Sequence, residues 1–283
     1  METAQIIDGK GLAARLREEL RSEVEQFKRA TGRPVGLSTV LVGDDPASEV
    51  YVGSKRRLSQ QAGIDDHHRR LPADATQEQV AAVLDELAAD PAVAGILLQL
   101  PLPSHLDAKA LIDRIPWEKD VDGLTTTSAG RLARNLDGLR PCTPLGVISL
   151  LEAEGVRLQG INAVVVGRSD LVGNPLSRLL LQKDATVTLA HSKTEDLAEV
   201  TSRAALVIAA AGVPGLLGKQ HISPGAVVID VGIHRTANGL VGDVDFDAVS
   251  GVASRITPVP GGVGPMTIAE LLRNTLKAAQ LQN

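Results

Sequence analysis

The chain has 283 residues, 43% of them hydrophobic and 22% charged, with 27 glycines and a net charge of −5. This suits about two packed domains of roughly 100 to 200 residues each and excludes a disordered polyelectrolyte. Two Phe, one Trp and one Tyr are the only aromatics, so the core must be built from Leu, Val, Ile and Ala, and neither stacking platforms nor a basic footprint exist for nucleic acid. Small-molecule partners are expected instead. The one cysteine, Cys142, allows no internal disulfide and no multi-cysteine zinc site, which fits a reducing compartment. Neither a signal-peptide pattern nor an apolar run long enough to span a membrane is seen, so the reading is a cytoplasmic enzyme or binding protein without membrane partners.

Short β-branched runs alternating with helical patterns predict βαβ units and parallel sheet. The first strand expected is Leu37–Val42, followed by a helix from Pro46 to Ala62 and a weak strand over Ile64–Leu71. Thr76-Gln77-Glu78-Gln79 has capping-box spacing and opens a helix to Ala89, before a buried strand over Val93–Leu98. The polar, aperiodic stretch Leu124–Arg140 reads as the interdomain connection. A second α/β unit follows, with a helix over Leu145–Glu154 and strands at Ala163–Val166, Thr186–Ala190, Leu206–Ala209 and Val227–Val231. The last segment, Thr267–Leu281, aligns Ile268, Leu271, Leu272, Thr275, Leu276 and Ala279 on one helical face that needs a partner, for which the first domain is the candidate.

In the second half, Gly167-Arg168-Ser169 through Gly173-Asn174-Pro175 follows a strand and opens a helix. Phosphates bind such turns because glycine admits a close backbone approach and the helix start offers free N–H groups. The spacing is G-x5-G rather than G-x-G-x-x-G, so a plain strand-to-helix connection is the competing reading. At the end of the next strand, where NAD binders place an acid, stand His191-Ser192-Lys193-Thr194. Hydroxyls and positive charge there, with Arg168, favour a 2′-phosphate and hence NADP over NAD. The competing reading has Thr194 capping a helix whose first turn holds Glu195 and Asp196. Further candidate cleft loops are Ala210–Pro214, Asp230–Ile233 and Pro258–Pro265, the last with Pro265 in the first turn of the final helix.

In the first half, Ser48, Tyr51 and Lys55 share one helix face by spacing. Taken alone, the helix reads as a surface helix with Lys55 solvated beside Arg56 and Arg57. Gln99 at a carboxyl strand end, and the paired acids of Lys119-Asp120-Val121-Asp122-Gly123, add polar groups where α/β sites form. His67 and His68 are neighbours in an expected strand and point to opposite faces, which gives them no shared metal site.

Together, YVxxK (Tyr51–Lys55), QLPLP (Gln99–Pro103), KDVDG (Lys119–Gly123), PCTP (Pro141–Pro144), GRSxxVGxP (Gly167–Pro175), HSKT (His191–Thr194) and TPVPGGVGPMT (Thr257–Thr267) resemble the bifunctional methylenetetrahydrofolate dehydrogenase/methenyltetrahydrofolate cyclohydrolase family. The motifs run in order over nearly the whole chain. The resemblance implies NADP-dependent oxidation of 5,10-methylenetetrahydrofolate and hydrolysis of the methenyl product to 10-formyltetrahydrofolate, in a homodimer. It implies two α/β domains flanking a cleft: a folate-binding catalytic domain over 1–140, completed by the helix 266–283, and a Rossmann-like, doubly wound NADP-binding domain over 141–265.

Carried over by motif, Lys55 is the cyclohydrolase residue, assisted by Gln99 and Tyr51, and Asp122 binds the pterin and joins the catalytic set. Val52, Leu100 and Pro260, Gly261, Gly262, Val263 and Gly264 line the substrate site. Gly167, Arg168, Ser169, Gly173, Ser192 and Ile233 fall on cofactor positions, and no residue falls on a metal position. Where the family continues KDVDG with FHPxNxG, this chain has Leu124–Gly130, without the aromatic, the proline or the asparagine.

A lysine that acts as a base near neutral pH needs its pKa lowered by about 3 units from about 10.4. Burial and a cationic methenyl intermediate both push that way, and a neutral Gln99 orients the amine without holding it as ammonium. Three other readings fit parts of the chain: a monofunctional dehydrogenase of the same family, a two-domain NADP dehydrogenase of another small acid, and a nucleotide-sensing regulator. The dehydrogenase of another acid leaves QLPLP and KDVDG unexplained, and Tyr51, Lys55, Gln99 and Asp122 at motif positions argue against the regulator, which needs no organised site in the first domain.

Overall fold

A computed structural model describes residues 3–237 and 239–283. In chain order the elements are β1 (Gln5–Ile6), α1 (Gly9–Thr31), β2 (Gly36–Val42), α2 (Pro46–Gln61), β3 (Asp65–Asp66), β4 (Arg69–Leu71), α3 (Gln77–Ala89), β5 (Gly95–Leu98), α4 (Ala108–Ile112), α5 (Thr126–Ala133) and α6 (Cys142–Ala153). They continue with β6 (Asn162–Val166), α7 (Gly173–Gln182), β7 (Thr186–Ala190), α8 (Leu197–Thr201), β8 (Leu206–Ala209), β9 (Val227–Asp230), β10 (His234–Thr236), β11 (Gly239–Val241), α9 (Phe246–Ser250), β12 (Arg255–Ile256) and α10 (Val263–Leu281). No helix among the described residues is long and apolar enough to cross a membrane.

The chain forms two compact units: one of residues through Ala14 with Thr143–Thr267, the other of Arg15–Cys142 with Ile268–Asn283. The nucleotide-type unit contains a six-stranded sheet in the order β1-β12-β9-β8-β6-β7, with parallel pairing throughout. Chain direction through this sheet reverses at β6, which has β7 on one side and β8 on the other. In a doubly wound sheet, such a switch point opens a crevice at the carboxyl ends of the strands. β8 is buried along its whole length, as expected of a strand covered on both faces.

Residues 3–14 belong to this unit rather than to the span 1–140, because Gln5 and Ile6 pair with Arg255 and Ile256 at the sheet edge. Thr194 does not cap α8; its hydroxyl accepts the His191 amide, while Asp196, in the left-handed region at φ 43°, caps the helix by accepting from the Glu199 amide.

In the other unit, β2 is the centre of a four-stranded parallel sheet, with β5 on one edge and the short strands β3 and β4 on the other. The strand expected over Ile64–Leu71 is thus interrupted, and His67 and His68 fall in the break, with His68 Nδ1 2.8 Å from the Thr39 hydroxyl. The capping box at the start of α3 forms as its spacing requires: Gln79 N donates to the Thr76 hydroxyl, and Thr76 N donates to Gln79 Oε1.

The helices α5 and α10 are among those that differ from expectation. The stretch Leu124–Arg140 contains α5, capped by the Thr125 hydroxyl, which accepts from the Ser128 amide. α10 begins at Val263, four residues before the expected start, so Pro265 does sit in its first turn. From Ile268 onward α10 packs as its periodicity requires: Leu271, Leu272, Leu276 and Ala279 share a core cluster with Leu20, Val24, Leu37, Leu97 and Val121. Within that cluster the Asn274 amide donates to Val121 O and Arg140 O, both at 2.8 Å.

Candidate functional site

α2 starts at a firm cap, with Asp45 accepting from the Ser48 amide at 2.8 Å and Pro46 at the first helical position. Its buried residues are Ser48, Val52, Lys55 and Ser59, a stripe at helical spacing. Lys55 therefore occupies a core-facing position, with 5% of its surface exposed, and the reading of it as a solvated surface lysine does not hold. Its neighbour Arg56 turns away to pair with Asp66 at 2.7 Å.

The Lys55 amine donates to Gln99 Oε1 at 3.0 Å and lies 4.4 Å from the centre of the Tyr51 ring. Gln99, at the carboxyl end of β5 and also buried, is itself held by its Nε2 donating to Leu100 O at 2.6 Å. Its oxygen is thereby aimed at the amine. Burial pushes the Lys55 pKa below its ordinary value, against the charge of Asp122. Cys142 also lies close; burial drives its thiol well above the usual range, so it stays protonated and donates to Val121 O at 3.2 Å. The structure thus brings Tyr51, Val52, Lys55, Gln99 and Asp122 together in one unit.

The two acids of KDVDG divide in role. Asp120, buried, accepts from the Leu124 and Thr125 amides at 3.1 and 2.8 Å, and burial pushes its pKa up. It braces the start of α5, which Asp113 also holds by accepting the Thr126 amide at 2.6 Å. The segment that lacks the family's aromatic, proline and asparagine is therefore still anchored at its start, through three consecutive amides. Lys119 is structural too, donating to Asp90 O at 2.7 Å and Leu87 O at 3.3 Å.

In the nucleotide-type unit, the turn Gly167–Gly173 follows β6 at the switch point. Gly167 has φ +119°, and a Cβ there would lie 2.0 Å from Ala210 O; at Gly173 a Cβ would lie 1.9 Å from Gly167 O. Only glycine closes this turn, and the backbone stays bare for an anion at the start of α7. Ser169 stabilises the turn by accepting from the Val172 amide at 3.2 Å. Arg168, Ser169, Ser192 and Lys193 are all exposed, and no acid stands at the end of β7. This donor set fits a dinucleotide with a 2′-phosphate.

Ile233, 54% exposed, stands past the end of β9. Pro260, Gly261 and Gly262 form the loop that enters α10, whose first two residues are Val263 and Gly264, and the loop is secured by Lys10 N donating to Gly261 O at 2.8 Å and by Gly262 N donating to Pro258 O at 2.9 Å. Sequence reasoning did not single out Asp243 or the buried role of Asp230, whose carboxylates organise the loops around Ile233. The only signal for them was the position of Asp230 at a strand end.

Known proteins agree with this architecture. The catalytic-domain family model of tetrahydrofolate dehydrogenase/cyclohydrolase matches residues 7–122, and the model of its NAD(P)-binding domain matches residues 141–283. The bifunctional protein FolD 2 of Frankia alni is 62% identical over 278 residues, covering 98% of this chain and 96% of that protein. The crystal structure of the bifunctional enzyme FolD of Campylobacter jejuni superposes with a TM-score of 0.96 at 45% identity, covering 99% of this chain and 100% of that one. That of Trypanosoma brucei methylenetetrahydrofolate dehydrogenase-cyclohydrolase, solved with NADP and an inhibitor, gives 0.94 at 40% identity, covering 100% and 99%. With both halves matched in order and the relatives spanned almost end to end, the chain belongs to the tetrahydrofolate dehydrogenase/cyclohydrolase family.

Proposed function

We propose that the protein oxidises 5,10-methylenetetrahydrofolate with NADP and hydrolyses the 5,10-methenyl product to 10-formyltetrahydrofolate, with the folate on the Lys55 unit and NADP on the β6 unit. The observation that carries this reading is the buried Lys55 amine, 3.0 Å from Gln99 Oε1 and opposed by the single acid Asp122. Burial favours the neutral amine, which keeps a lone pair for a proton. In hydrolysis the oxygen of water bonds to the cationic one-carbon unit and one of its protons goes to Lys55 Nζ. The bond from that carbon to N5 then breaks, N5 takes the proton from Nζ, and the second water proton leaves to solvent as the formyl C=O forms. Gln99 holds Nζ in place through this exchange, and Asp122 offers two acceptors to N–H donors of the pterin.

NADP, when bound, supplies the hydride acceptor for the oxidation. The bare turn Gly167–Gly173 would hold its pyrophosphate, and Arg168 with Ser192 its 2′-phosphate. The reading includes a homodimer and a cytoplasmic location, the latter in keeping with one buried thiol and no disulfide.

The test is a two-step assay: the protein mixed with methylenetetrahydrofolate and NADP, with methenyl and formyl products followed separately. Both products are expected, with NADP used in preference to NAD, and Lys55→Met should lose formation of the formyl product. Methenyl accumulation by the unaltered protein would reduce it to a dehydrogenase, and full hydrolysis by a folded Lys55→Met would remove Lys55 from the chemistry.

A further inference from the structure

At the carboxyl ends of β8 and β9 two acids are buried that the proposed chemistry does not use. Asp230 accepts three backbone amides, those of Gly232 at 3.0 Å and of Asp243 and Val244 at 2.9 Å. Asp243 is fully buried and accepts from Ala211 N at 2.6 Å, from Gly212 N at 2.9 Å and from His234 Nε2 at 2.7 Å. A carboxylate has no proton to give, so Nε2 carries the hydrogen of the last contact. Asp243 thereby ties together three segments: the loop after β8, the first residue of β10, and its own position beyond β11.

Both ends of this arrangement reach the nucleotide turn. Ala210 O is the atom against which Gly167 packs, and the next two residues of that loop are the ones whose amides Asp243 holds. On the other side, exposed Ile233 lies between two tethered neighbours, Gly232 on Asp230 and His234 on Asp243. An exposed isoleucine on a pinned backbone is a preformed apolar platform, and preorganisation of this kind adds affinity by lowering the ordering cost of binding.

We propose that Asp243 and His234 are positioning residues for the dinucleotide: Asp243 sets the loop wall that closes on Gly167, and His234, through Asp243, sets the height of Ile233. This rests on the reading of the β6 unit as the NADP site. Neither side chain touches the reacting atoms. Their effect is on the affinity of one ligand, and hydrolysis of a methenyl substrate, which needs no dinucleotide, is independent of them.

The experiment measures NADPH binding by titration alongside hydrolysis of methenyltetrahydrofolate without NADP, for the unaltered protein, His234→Ala, His234→Gln and Asp243→Asn. His234→Ala should raise the NADPH dissociation constant about tenfold, the size expected of one lost charge-assisted hydrogen bond, with hydrolysis unchanged. His234→Gln, whose amide nitrogen reaches where Nε2 stands, should restore most of the affinity. Asp243→Asn keeps an acceptor for the Ala211 and Gly212 amides and should fall between. Unchanged NADPH affinity in His234→Ala, or a parallel loss of binding and hydrolysis, would overturn the inference. Failure of the unaltered protein to bind NADPH would overturn the underlying reading, and this inference with it.

Discussion

The Lys55 amine and the Gln99 carboxamide oxygen face each other at 3.0 Å, both side chains closed off from solvent, one from a helix and the other from a strand end. An amide oxygen accepts from an amine and from an ammonium alike, so this partner orients Lys55 without fixing its charge.

Replacing that amide by an acid should fix it. In Gln99→Glu a carboxylate at hydrogen-bond distance raises the lysine pKa by about one to three units. The ascending limb of the hydrolysis rate against pH then moves to higher pH, and the rate near neutrality drops about tenfold for each unit. A pH–rate profile with methenyltetrahydrofolate checks this; a limb that stays in place would show that Lys55 is not the titrating base.

Asp122→Ala removes the foremost charge that opposes the lowering of the Lys55 pKa. The expected outcome is therefore twofold: the folate KM rises about tenfold or more as charge-assisted contacts to the pterin are lost, and the ascending limb of hydrolysis moves to lower pH. Steady-state kinetics across pH separates the two effects. Unchanged folate affinity would count against the assignment.

Gly173→Ala puts a methyl group where Gly167 O already stands, 1.9 Å from the new carbon. Backbone must shift, costing about 1 to 3 kcal/mol of stability. NADP affinity should fall along with it, while hydrolysis of methenyltetrahydrofolate persists in the folded fraction. Thermal unfolding followed with and without NADPH tests this, since the midpoint gain on adding ligand should shrink.

Asp230 gives a prediction about stability against pH. Burial, opposed by three backbone donors and helped by the charge of Asp243, pushes its carboxyl up to about 6 from 3.8. A raised carboxyl pKa means that the folded state holds a proton that the unfolded chain has already released. The stabilisation from this group is complete below 3.8 and is lost as pH rises through about 6, a change of up to roughly 3 kcal/mol. Asp230→Asn does not titrate, so its stability relative to the unaltered protein should improve between about pH 4 and pH 7 by an amount of that order. Denaturant midpoints at the two pH values check the sign.

The regular strands were legible because β-branched runs bounded by turns carry their own signal: β7 and β8 have the bounds that periodicity assigns, and β2, β6 and β9 differ by one residue at one end. The helix α1 was missed although Leu12, Leu20 and Val24 are buried at helical spacing. Its first turn, Gly9-Lys10-Gly11, looks like a loop, and it is held by Asp8 accepting the Gly11 amide at 2.9 Å. The two-residue strands β1 and β12 have no periodicity to read, since they exist only by pairing with each other and with β9. α5 was hidden by its Thr and Ser residues, which are as common in turns as at helix starts.

The site motifs were legible as motifs, but the burial of Lys55 was not. Arg56 and Arg57 beside it suggested a solvated face, and only the stripe Ser48, Val52, Lys55, Ser59 shows which side turns inward. Asp120 and Asp122 are two residues apart and chemically identical; what divides them is that the amides of Leu124 and Thr125 fold back onto the first.

Asn274, which clamps Val121 O and Arg140 O from α10, sets an order of events during synthesis. Lys55, Gln99 and Asp122 leave the ribosome first, then all of Thr143–Thr267, and only afterwards the segment that staples the acid loop. Until it arrives, the apolar surface of Leu37, Leu97 and Val121 lacks the cover of Leu271, Leu272 and Leu276. A half-built folding unit of this kind is exposed to aggregation for as long as translation of the intervening unit takes. The β6 sheet, whose edge strand β1 is made at the outset, has all its parts when Ile256 emerges. The half of the protein that is translated first is thus the last to be finished.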